Sequence, residues 1–194
     1  DVYKRQQKVV SRNPRSTVGT STEIYEYLRL LFARIGKTYS PVSGQLVKKD
    51  SPEDIVHCML SYPKGTRYTV LTPILPREGR TVAQQIDMDM KQGFTRLEVN
   101  GEMIRIEEYT YQPDDQIYLL VDRMSCDDTK DAVSRLTDSA ETAMYEGDGA
   151  CLLRFYLPDG QTQLHRFSTK FEADGIKFEE PSDQMFSFLS LIHI

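Results

Sequence analysis

Ser11 to Gly36 reads SRNPRSTVGTSTEIYEYLRLLFARIG, a polar, basic loop that runs straight into the most strongly specified helix of the chain. Ile24, Leu28, Leu31 and Ile35 recur at helical spacing, Thr20 with Glu23 three positions on forms a capping-box pattern, and Gly36 offers a left-handed stop. Ahead of the helix, Asn13-Pro14 keeps Asn13 out of the helical region, and Gly19 permits a sharp bend. Arg15, Ser16 and Thr17 therefore stand on a loop with donors to offer. Spacing alone leaves two uses open for that loop: a phosphate or partner surface, or a tight connection whose polar groups satisfy one another.

Working outward, 194 residues with 39% hydrophobic content suffice for one or two modest cores, and the composition is that of an ordered globular protein. Every apolar run falls well short of the roughly 20 residues a membrane helix requires, and no signal-type run opens the chain, so no membrane association and a cytoplasmic location are expected. Cys58, Cys126 and Cys151 are widely separated and include no C-x-x-C pair, which argues for free, mostly buried thiols. The charge is uneven: residues 1–37 sum to +5 and residues 38–194 to −10, within a total of −5. A larger part so acidic is a poor platform for nucleic-acid phosphates.

Tyr39-Ser40-Pro41-Val42-Ser43-Gly44 reads as a connector rich in turn residues, and Ser51-Pro52-Glu53-Asp54 opens a helix whose apolar face is Ile55, Val56, Met59 and Leu60. A strand at Tyr68 to Thr72 precedes a helix from Thr81, capped by Gln84 and ended by Gly93. Phe94–Val99 and Glu102–Ile106 flank Asn100-Gly101, a strong hairpin signal. The order then repeats: a strand at Gln116 to Arg123, a helix at Thr129 to Glu146, and a hairpin of Ala150–Leu157 with Thr162–Phe167 around Pro158-Asp159-Gly160. Two consecutive β-α-β-β units with helices on one sheet face predict an α+β sandwich.

The strings NPRSTVGT and TEIYEYLRLLFARIG together resemble the segment that follows the first nucleotide-binding half-site in the UvrA family of excision-repair ATPases. Looser matches follow in family order: KQGF-R from Lys91 to Arg96, VDR at Val121 to Arg123, and RL-DS-ETA from Arg135 to Ala143. The resemblance implies an internal fragment of an ATP-hydrolysing, DNA-damage-recognising subunit that is itself a homodimer. Residues 7–50 would be the Q-loop and helical arm of an ABC-type ATPase domain, 51–168 an inserted domain that binds the partner UvrB, and 169–188 a return segment. Gln7 would be the Q-loop residue facing magnesium and the attacking water. Arg96 and Arg123 fall on arginines the family uses for UvrB. DVYKRQ at residues 1–6 and LSLIHI at 189–194 do not continue the family pattern and read as non-native, adapter-derived tails.

Family members commonly carry two zinc knuckles flanking the insertion. Here Ser40 and Ser43 occupy the first pair of ligand positions and Phe171 and Asp174 the second, so no zinc is expected. ATP and magnesium would belong to the parent protein, as would contact with damaged DNA. The chain shows no G-x-x-x-x-G-K-S/T loop, Walker B or ABC signature motif. Its acidic pairs Asp87/Asp89, Asp127/Asp128 and Glu179/Glu180, like its scattered histidines, read as solvated faces, so no catalysis by the fragment alone is expected. A free-standing, non-enzymatic protein-interaction module of the same fold is the competing reading.

Overall fold

The computed structural model describes residue 18 and residues 23–77, 79–182 and 185–186. They belong to two compact units, one running through Leu46 and resuming at Glu179, the other spanning Val47–Phe178. The expected Thr20 cap and the Q-loop residue Gln7 lie outside the described residues, as do both suspect tails.

In the first unit, α1 (Ile24–Ile35) forms where the periodicity places it, but its ends differ from expectation. Glu23 is the N-cap, at φ 60° and without a side-chain cap hydrogen bond, so it precedes the helix instead of sitting inside its first turn. A left-handed residue there interrupts the helical path that a Thr20–Glu23 capping box requires. Gly36 is not left-handed either: φ is −59° and ψ 146°, and its N–H donates to the Phe32 carbonyl at 3.0 Å. What excludes a larger residue is proximity, since a Cβ there would lie 2.2 Å from the Phe32 oxygen. No residue of α1 is buried, although Tyr25 donates through its hydroxyl to the Phe186 carbonyl and the Phe32 ring lies 6.0 Å from that of Phe186. A short ribbon of β1 (Thr38–Tyr39) and β2 (Leu46–Val47) follows.

The second unit begins with α2 (Pro52–Leu60), where the Ser51 hydroxyl accepts from the Asp54 N–H and the Asp54 carboxylate accepts from the Ser51 N–H. Of its expected apolar face, Ile55 and Met59 are fully buried, whereas Leu60 is exposed. Next come β3 (Arg67–Pro73), α3 (Val82–Lys91) with the Thr81–Gln84 capping box, and the hairpin of β4 (Arg96–Val99) and β5 (Glu102–Arg105). Asn100 and Gly101 turn that hairpin at φ 53° and 89°, the paired positive values of a type I′ turn that asparagine and glycine tolerate best. Then follow β6 (Ile117–Ser125), α4 (Lys130–Glu146) capped by Thr129, and β7 (Ala150–Tyr156) with β8 (Thr162–Ser168). A small hairpin of β9 (Glu172–Ala173) and β10 (Ile176–Lys177) ends the unit.

The chain is thus α+β, with two β-α-β-β units in sequence order, but in space the units interleave. The six-stranded sheet has the order β5-β4-β6-β3-β7-β8, so the first strands of the two units lie side by side at the centre. Each unit's hairpin adds to the other unit's first strand, β4 on β6 and β7 on β3, all antiparallel. The helices cover one face. Ile55 and Met59 of α2 and Leu136, Ala140 and Ala143 of α4 pack on Tyr68, Val70, Leu153 and Phe155. Ile86 of α3 packs on Leu97, Val99 and Leu119.

Candidate partner-binding surface

Strict alternation along β6 would put Leu119, Val121 and Arg123 on one face, the one beneath the helices. The register shows otherwise. Leu71 pairs with Leu120 but Val70 pairs with Asp122, so Val121 is an extra residue in a β-bulge. Beyond the bulge Asp122 faces the helices and Arg123 turns to the helix-free face, opposite Thr69. Asp122 fastens this arrangement. It accepts from Arg135 Nε at 2.9 Å and Nη2 at 2.7 Å, from Ser139 Oγ at 3.0 Å and from the Arg123 backbone N–H at 2.7 Å. Burial opposes ionisation of Asp122, but these hydrogen bonds outweigh it and hold its carboxyl below the usual carboxylate range. The VDR and RL-DS-ETA strings, apart in sequence, are one hydrogen-bonded assembly.

By the same registers the helix-free face collects Arg67, Arg96, Arg105, Arg123, Arg154 and Arg166, against Glu98 as the one acidic residue at its paired positions. Arg96 and Arg105 are direct partners on β4 and β5. Arg123 lies on the neighbouring strand, displaced from Arg96 along the strand direction by two ladder steps, about 7 Å. Among the described residues, none of Arg67, Arg96, Arg105 and Arg123 forms a salt bridge through its side chain.

Arg154 does. Its Nε lies 2.9 Å from both oxygens of Glu98, and its Nη2 lies 2.6 Å from Oε1. Glu98 is 0% exposed and the Arg154 side chain 14%. The two residues stand on β4 and β7 with β6 and β3 between them and are offset by four residues of β3, a separation of roughly 20 Å in a flat sheet. Contact at hydrogen-bond distance therefore requires the sheet to curl toward its helix-free face. Arg166 of β8 likewise reaches across two strands to the Tyr118 hydroxyl of β6, at 3.0 Å. Leu71, Tyr118, Leu120 and Leu152 pack beneath this bridge. At one end the concavity opens into a cleft of about 540 Å³ lined by Arg67, Thr69, Met103, Arg123, Ser125 and Tyr156, with Tyr68 and Met124.

The serines at the first knuckle position act as backbone acceptors. Ser40 Oγ accepts from the Val42 N–H at 3.2 Å and Ser43 Oγ from the Gln45 N–H at 3.3 Å, while the Gly44 N–H returns to the Ser40 carbonyl at 2.9 Å. At the second position Phe171 offers no donor atom, and Asp174 sits in the β9–β10 turn at φ 53°. The donor set, two hydroxyls in one pair and a single carboxylate in the other, does not fit zinc.

The acidic pairs are less uniformly solvated than expected. Asp89 is buried and accepts from Gln85 Nε2 at 2.7 Å, because α3 turns that side inward, and Lys64 bridges Asp127 and Asp128 at 2.8 and 3.0 Å. His165 Nε2 lies 2.6 Å from the Tyr62 hydroxyl. Among the described residues no cluster of three or more His, Cys, Asp or Glu side chains is placed to hold a metal ion. Cys126 and Cys151 are buried free thiols pushed up to about 11 and about 12 by desolvation, and Cys58 is half-buried. Among the described residues no helix is long and apolar enough to cross a membrane.

The family model described as the UvrA interaction domain matches residues 50–156, more than half of the chain. The chain belongs to the UvrA interaction-domain family. The match covers both interleaved units up to the end of β7. Among relatives, UvrABC system protein A of Streptomyces coelicolor is 41% identical over 192 residues, covering 95% of this chain and 19% of that protein. The Thermus thermophilus protein of the same name is 38% identical over 196 residues, covering 95% of this chain and 20% of its own length. That of Mycobacterium tuberculosis is 40% identical over 152 residues, 77% of this chain and 15% of that protein. The chain spans about a fifth of the length of the curated relatives it matches.

Proposed function

We propose that this chain is the partner-recruiting part of a UvrA-type subunit in nucleotide excision repair, and that its concave arginine face receives a UvrB-type protein. The observation that carries the reading is the Val121 bulge, which turns Arg123 onto the face that holds Arg96. A basic, curved surface on an otherwise acidic chain suits a protein partner presenting carboxylates, and arginine forks suit that contact. The interaction-domain description and the relatives' system name support the same reading. ATP hydrolysis with magnesium, the Q-loop role of Gln7, contact with damaged DNA, a homodimeric assembly and a cytoplasmic location are proposed for the parent protein, with no catalysis by this segment alone.

Reversing Arg96→Glu and Arg123→Glu together tests the docking face. Each paired arginine at an interface centre contributes about 2 kcal/mol or more, so titration calorimetry against a UvrB-type protein should show a loss on the order of a thousandfold for the double reversal, with the circular dichroism spectrum unchanged. Unchanged affinity would remove the assignment. The knuckle positions are proposed to hold no structural zinc; elemental analysis of the purified chain finding one zinc per molecule would contradict this.

A further inference from the structure

We infer that the cleft at the Arg67 end of the concave face is an anchor site for an acidic residue of the docking protein, taken together with an apolar neighbour. The inference rests on the docking reading for the identity of the partner, but its evidence is separate. Thr69 is 3% exposed, it lines the cleft, and its hydroxyl has no hydrogen-bond partner. A buried hydroxyl left unpaired is destabilising and calls for an acceptor. Arg123 stands directly opposite Thr69 on β6, and Arg67 stands two residues along β3 on the same face. The three Cα atoms are about 5 to 8 Å apart, a spacing at which two guanidinium groups and one hydroxyl converge on a single carboxylate. No acidic side chain lines the cleft, and both arginines are exposed without a salt-bridge partner among the described residues. Ser125 and Tyr156 add further hydroxyl groups, and Met103 adds apolar wall.

At about 540 Å³ the cleft is much larger than one carboxylate needs. The Met103 thioether and the Tyr156 ring supply the contact for an aliphatic or aromatic side chain beside it. A phosphate shares the anion chemistry, yet a nucleic acid would carry its whole backbone charge against a segment of net −10 at residues 38–194, so a short acidic peptide is the fitting occupant.

The test uses the full chain and a fluorescein-labelled pentapeptide, Asp-Glu-Phe-Asp-Glu. Controls are the amide version, Asn-Gln-Phe-Asn-Gln, and a labelled oligothymidylate. Fluorescence anisotropy should detect the acidic peptide and not its amide. Thr69→Val should weaken binding about fivefold while raising the melting temperature by about 3 °C, because it removes the unpaired hydroxyl without changing shape. Arg67→Gln should weaken binding about tenfold with little change in melting temperature. A purely structural Thr69 would not couple higher stability to lower affinity. No binding of the acidic peptide, binding insensitive to both variants, or preference for the oligothymidylate overturns the anchor. With a UvrB-type protein as ligand, loss on Arg96/Arg123 reversal but not on Thr69→Val with Arg67→Gln leaves the docking face standing and overturns the anchor alone. If that protein does not bind at all, the docking reading falls and the peptide titration still decides the cleft.

Discussion

The two faces of the six-stranded sheet exclude water by different means. On one, helices lie over Tyr68, Val70, Leu153 and Phe155, and the burial is apolar and layered. On the other no helix of the unit packs, yet Glu98 is as inaccessible as any core leucine. There the sheet curls upon itself, and a bidentate ion pair with Arg154 closes the curve over Leu71, Leu120 and Leu152. The covered face thus secures stability, while the shape of the helix-free face depends on a charge pair that spans two strands.

The largest effects should come from cutting each face at its centre, measured side by side by urea unfolding. Phe155→Ala removes a fully buried ring stacked on Tyr62 at 3.8 Å and should cost about 4 kcal/mol. Glu98→Ala leaves the Arg154 guanidinium largely buried without its counter-charge and should cost about 3 kcal/mol. The sharper contrast is in rescue. Replacing both partners, Glu98→Leu with Arg154→Leu, should return stability to within about 1 kcal/mol of the parent, because desolvating the pair nearly cancels its attraction. The same double variant should still bind a UvrB-type protein less tightly, because the curve is no longer clasped. Full affinity in that variant would show that curvature does not depend on the ion pair.

A smaller effect belongs to Asp122, which connects the two faces. Asp122→Asn should cost about 1 to 2 kcal/mol at neutral pH, limited by the exposure of Arg135, whose side chain is 61% accessible. The Asp122 carboxyl is held below its usual value, so its contribution is present above the unfolded-state pKa and is lost as pH falls through the folded one. The stability gap between parent and variant should therefore close on acidification through the carboxylate range. A gap that stays constant with pH would mean that the bulge is held by the backbone alone.

Much of the local structure was legible. Ser51 with Asp54, Thr81 with Gln84 and Asn100-Gly101 each encode their own geometry within four residues, and each folds as read. The amphipathic period of α1 was legible too, but its cap was not, because a left-handed Glu23 leaves no mark on the hydrophobic pattern. The makeup of the helix-free face was legible only in part. Arg96 follows from alternation, whereas Arg123 reaches the same face through a bulge that alternation contradicts. Glu98 resembles any solvent-facing strand residue, since its partner Arg154 is 56 positions away. Thr69 gave no signal at all, because an unpaired hydroxyl is a property of what surrounds it.

The interleaving of the two units has a kinetic consequence. Strand β3 cannot complete either of its ladders until β6 and β7 have emerged, some 50 to 85 residues later in the chain, so the first β-α-β-β unit has no sheet of its own to fold into. Such long-range pairing sets a high contact order and slow, all-or-none assembly. A ribosome that stops after the first hairpin releases a chain with an open central edge, poised for strand exchange with a neighbour, and only synthesis of the second unit removes that hazard.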